Sequence, residues 1–84
     1  KVIVCTMLPR GGFDSGKEAI RLAYNASIRT AGFDAVCDFA NDPTMGAAGA
    51  TSNTALYKDG THPSDYGYSI LATMMARCVN AILK

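Results

Sequence analysis

The order in which the hydrophobic pattern changes along this chain is compatible with few folds. Val2-Ile3-Val4-Cys5-Thr6-Met7 is a short apolar run rich in β-branched residues, and Pro9-Arg10-Gly11-Gly12 closes it. Such a run fits a strand buried on both faces, as in a parallel sheet. A helical period follows. Ala19, Ile20, Ala23, Ala26 and Ser27 fall on one face, with Lys17, Arg21, Asn25 and Arg29 on the other. This predicts an amphipathic helix near residues 16–31 with its small, apolar face inward. Ser15 and Glu18 have the spacing of a capping box, and Gly32 stands where a C′ glycine is expected. Phe33 to Ala40 repeats the strand signal through Val36, Cys37 and Phe39, until Asn41-Asp42-Pro43 ends it. A strand, a helix and a second strand at this spacing make a right-handed βαβ unit.

Residues 44–58 are small and polar with no clear period, which predicts a long loop of a length that often carries function. The last element has the strongest pattern. Tyr68, Leu71, Ala72, Met75, Cys78, Val79 and Ile82 recur at helical spacing, opposite Ser69, Thr73, Arg77, Asn80 and Lys84. A helix over 65–83 is expected. Two strands make a poor sheet by themselves. The segment therefore reads as the end of a larger α/β domain. The start agrees with that expectation, because Lys1 leads almost directly into an apolar strand where native termini are usually polar and poorly ordered.

Charge narrows the range of partners. Eight basic and seven acidic residues are spread along the chain, with no basic block to follow a phosphate backbone, so a nucleic-acid partner is not expected. No apolar stretch reaches the length of a membrane span. Cys5, Cys37 and Cys78 each sit in an apolar stretch, where cysteine commonly acts as a small buried hydrophobe; a disulfide pair or a reactive thiol is the alternative. Free thiols lean toward a reducing compartment.

The chemistry concentrates in Tyr57-Lys58-Asp59-Gly60-Thr61-His62-Pro63-Ser64-Asp65-Tyr66-Gly67-Tyr68. Here the chain's one histidine follows an aspartate by three residues, just before the final helix. A nucleophilic hydrolase needs an imidazole to take a hydroxyl proton and a carboxylate to hold and stabilise that imidazole. A short turn with Gly60 at its bend would fix the geometry of the two, and Pro63 disfavours winding His62 into the helix. Taken alone, the pair favours a plainer reading, an aspartate capping a turn and a histidine at a helix entrance. Tyr57 and Tyr66 flank the site, as pocket lining or as packing, and Tyr68 belongs to the expected core stripe. One histidine with scattered carboxylates makes no zinc set, so no metal or other cofactor is expected.

Asp59-Gly60-Thr61-His62-Pro63, followed by Gly67-Tyr68 and an amphipathic helix, resembles the last motif block of the SGNH (GDSL-type) serine hydrolases. Val4 to Arg10 resembles a late strand of that family with its Thr-x-x-Pro ending. Tyr24 to Arg29 and Phe33 to Phe39 resemble the helix and strand that follow. The resemblance implies the carboxyl-terminal β-α-β-α part of a three-layer α/β/α sandwich with a parallel, flavodoxin-like sheet. It makes His62 the general base and then general acid of a Ser-His-Asp triad, with Asp59 as its orienting partner. The family's Gly-Asp-Ser nucleophile block and its oxyanion glycine and asparagine blocks have no counterpart here. Ser15 reads as a helix cap rather than a nucleophile, because Phe13 breaks the Gly-Asp-Ser spacing, and Asn41 follows the wrong strand for the oxyanion role. The resemblance thus implies an esterase acting on small-molecule or carbohydrate esters, acetylated sugars among them, with the nucleophile on an amino-terminal part of the same domain. Members are often secreted. A non-catalytic binding or structural module of the same fold is the rival expectation.

Overall fold

The computed structural model describes residues 1–83, which form a mixed α/β unit. Its elements are strand β1 (Ile3–Cys5), helix α1 (Ser15–Thr30), strand β2 (Ala35–Cys37) and helix α2 (Asp65–Leu83), with 3-10 turns at Phe39–Asn41 and Ala50–Ser52 between β2 and α2. The strands pair in parallel, Ile3 with Ala35, Val4 with Val36 and Cys5 with Cys37. Both strands and both helices occur where the hydrophobic pattern predicts them. Lys84, assigned by its spacing to the polar face of α2, lies outside the described residues. Among the described residues, no helix is long and apolar enough to cross a membrane.

The strands are shorter than their apolar runs, because side chains replace the neighbouring strand as hydrogen-bond partners. The Met7 N–H donates to Asn25 Oδ1 at 2.7 Å, and the Met7 carbonyl accepts from Asn25 Nδ2 and Arg21 Nη1, each at 2.9 Å. Beyond β2, Thr6 Oγ1 accepts from the Ala40 N–H and donates to Asp38, which also takes two hydrogen bonds from Arg29. These contacts explain why α1 faces the opposite way from its expected orientation. Arg21 and Asn25 are buried with Ile28, Asn25 at 1% exposure, whereas Ile20 is 71% exposed and the alanines of the predicted inner face lie outside. A backbone amide and carbonyl left unpaired at the end of β1 would each cost about 1–3 kcal/mol. The Asn25 amide closes both. Polar residues at helical spacing here form the buried stripe. Its cap is also displaced by one residue: Asp14, not Ser15, accepts from the Lys17 N–H at 2.8 Å, and Glu18 pairs with Arg21 instead of reaching back. Gly32 takes the left-handed conformation expected of a C′ residue.

The stretch expected to be a long loop supplies much of the core. Met45, Ala50, Leu56 and Tyr57 bury against Leu71 of α2, with Leu8, Phe39, Ala47 and Ile70 packed around them. Two devices compensate its lack of regular structure. Asp42 Oδ2 accepts from the N–H groups of Thr44 and Met45, and the Tyr57 hydroxyl donates to the Met45 carbonyl at 2.8 Å. Tyr57 is therefore core, not pocket lining, while Tyr66 is exposed.

The buried face of α2 keeps most of its predicted stripe and departs from it at Tyr68 and Ala72. Gly67 and Leu71 are buried, Met75, Cys78, Val79 and Ile82 are partly buried, and Tyr68 and Ala72 are exposed. At the first turn the contact is made by Gly67, which lies directly on the backbone of Leu56. A Cβ at Gly67 would overlap the Leu56 carbonyl oxygen and come within 2.9 Å of Met45 Cε and 3.2 Å of Pro63 Cβ. Gly67→Ala should lower stability by about 2–3 kcal/mol, in the range of overpacked core sites, as urea unfolding would measure. A wild-type denaturation midpoint would contradict this packing.

Cys37 is fully buried and forms a disulfide with Cys78, their Cα atoms 5.8 Å apart, which ties β2 to α2. This corrects the expectation of three buried free thiols. Cys5 is the free cysteine among the described residues, and burial pushes its thiol pKa up.

Candidate functional site

Asp59 and His62 lie on a turn closed at its base by short-range pairing. The Lys58 N–H donates to the His62 carbonyl at 3.0 Å, and the Ser64 N–H to the Leu56 carbonyl at 2.8 Å, with Tyr57 and Pro63 in an antiparallel bridge. The buried Tyr57 anchors one side. On the other side, Ser64 Oγ donates to the Ala55 carbonyl and accepts from the Gly67 N–H, so it caps α2 while securing the turn. Ser64 was missed in the sequence, although a serine immediately before an acidic first helical residue is a recognisable cap signal. Gly60 bends the turn at φ 80°.

The Asp59 carboxylate is held from three directions. Oδ1 accepts from the N–H groups of Thr61 at 2.9 Å and His62 at 2.6 Å, and Oδ2 lies 2.7 Å from His62 Nδ1. Hydrogen bonds to the ionised form favour it. The backbone N–H of His62, then its ring, then the backbone N–H of Thr61 hold the Asp59 carboxyl far below its ordinary range. An ionised carboxylate can only accept, so Nδ1 of the neutral ring must carry its proton toward Asp59. Nε2 is then the nitrogen free to accept one. Both side chains are accessible, 49% for Asp59 and 61% for His62. The turn therefore leaves Nε2 of the His62 ring facing solvent or an approaching group, with Nδ1 engaged by Asp59.

The residues expected to act together do meet. Among the described residues, Asp59 is the sole hydrogen-bond partner of the His62 ring. No group of three or more His, Cys, Asp or Glu among them could hold a metal ion. Ser15 is the first residue of α1, and Asn41 closes the 3-10 turn after β2, its N–H bonded to the Asp38 carbonyl. No protein-family model, curated protein or solved structure matches the chain.

Proposed function

We propose that Asp59 and His62 are the acid–base pair of a serine ester hydrolase of the SGNH (GDSL-type) family. The chain would then be the carboxyl-terminal β-α-β-α part of that family's three-layer α/β/α sandwich. The observation that carries this reading is the 2.7 Å contact of His62 Nδ1 with an aspartate whose charge is secured by two backbone N–H groups. The nucleophilic serine and the oxyanion donors come from an amino-terminal part of the same domain. In the reaction the serine oxygen bonds to the ester carbonyl carbon while Nε2 of His62 takes the serine proton. Asp59 stabilises the resulting imidazolium. His62 then returns the proton to the leaving alkoxide, and the same steps with water release the acid from the acyl-enzyme. Acetylated carbohydrates are the first substrate class to try.

A second reading has one observation in its favour. The bonds from Thr61 and His62 N–H groups to Asp59 Oδ1 form an Asx-type turn that accounts for the aspartate without catalysis. The fold would then serve as a binding or structural module. Turnover of p-nitrophenyl acetate separates the two readings. The 84-residue chain alone should give no His62-dependent hydrolysis, since the nucleophile and oxyanion donors supply most of the acceleration. The chain joined to a segment bearing Gly-Asp-Ser should give turnover that His62→Ala abolishes. Joined chain without activity supports the module.

A further inference from the structure

The turn after β1 touches the Asp59–His62 turn backbone to backbone. The Gly11 N–H donates to the Gly60 carbonyl at 2.6 Å. That carbonyl belongs to the same planar peptide unit as the Thr61 N–H, the group that donates to Asp59 Oδ1 at 2.9 Å. Fixing the oxygen on one side of this plate fixes the direction of the N–H on the other. The carboxylate so held uses its second oxygen for the His62 ring. Glycine is required at position 11 by space, not by conformation. Its φ is not positive, yet a Cβ there would stand 2.9 Å from Gly60 O, 3.2 Å from its Cα and 3.4 Å from its carbonyl carbon. All three are backbone atoms, so none can rotate aside. Gly12 next to it is the reverse case, with φ 83° and nothing within 4 Å of a built Cβ.

We infer that Gly11 is a positioning residue for the acid–base pair, orienting the Gly60–Thr61 peptide that aims Asp59 at His62. This rests on the reading of Asp59 and His62 as a catalytic pair, but its test needs no activity. ¹⁵N NMR of the His62 ring in the 84-residue chain, at a pH where the imidazole is neutral, reports the ratio of its Nδ1–H and Nε2–H forms. The wild type holds the Nδ1–H form against Asp59, and Asp59→Asn loses that preference. Gly11→Ala should lower the ratio about fivefold, the factor set by one hydrogen bond's net worth. An ester in place of the Arg10–Gly11 amide removes the N–H without adding a Cβ, and should lower the ratio likewise even where the alanine variant fails to fold. Gly12→Ala, strained by its positive φ, should lower the Tm and leave the ratio at the wild-type value. A wild-type ratio in the ester variant, or an equal change in Gly12→Ala, would overturn the role of Gly11 while leaving the pair intact. An unchanged ratio in Asp59→Asn would overturn both.

Discussion

Opening the Cys37–Cys78 disulfide should be the largest single loss of stability available to this chain. The bridge joins residues separated by 41 positions. Closing a loop of that length removes enough freedom from the unfolded chain to contribute roughly 3–4 kcal/mol on the chain-entropy account. For a domain of this size that corresponds to a fall in Tm on the order of 15 °C or more. Cys78→Ser, or the wild type in excess reductant, should show it by calorimetry, and Cys5→Ser should not. Alkylation of the denatured, unreduced chain should add one label, at Cys5, against three after reduction. Three labels without reduction would mean that the bridge does not form in solution.

The disulfide shows what one-dimensional reading can miss. Cysteine in an apolar run looks the same whether its sulfur meets a methyl group or another sulfur. Cys37 and Cys78 were each expected to be buried, but their meeting depends on how α2 packs on β2. The face of α1 was missed for a related reason. Arg21, Asn25 and Ile28 share a helical stripe, yet polarity assigned the first two to solvent. Only the structure shows the Met7 peptide that Asn25 and Arg21 satisfy. Residues 44–58 lacked a period because their core contacts come from turns and not from a regular element.

Local signals fared better. The two apolar runs, the two helical periods and Gly32 needed only neighbouring residues to be read. The Asp59–His62 contact was equally local, since three residues and a glycine bend bring the side chains within reach of each other. What supports that turn was not local. Gly11 lies far away in sequence, and its closeness to Gly60 follows from the fold. Tyr68 was misplaced because Gly67, with no side chain to count as hydrophobic, makes the contact at the first turn.

His62→Ala should abolish ester hydrolysis in the protein that carries both this chain and the nucleophile segment. Without the imidazole the serine oxygen must attack with its proton in place, and the leaving alkoxide has no proton donor. Loss of a triad member of this kind costs about 10⁴-fold or more in kcat. Asp59→Asn should also be severe, since an amide in that place can donate to Nδ1 and favour the wrong tautomer. Asp59 remains ionised well into acid because the His62 and Thr61 N–H groups and the His62 ring hold its carboxyl down. Activity lost on mild acidification therefore comes from a group other than Asp59. Neither side chain contributes to the buried core, so both variants should remain folded. The most direct test measures kcat/KM on p-nitrophenyl acetate for the wild type, His62→Ala and Asp59→Asn, with a melting curve for each. The account predicts a loss of about 10⁴-fold or more for His62→Ala in a protein that remains folded. His62→Ala that melts normally and keeps most of the wild-type activity would contradict it.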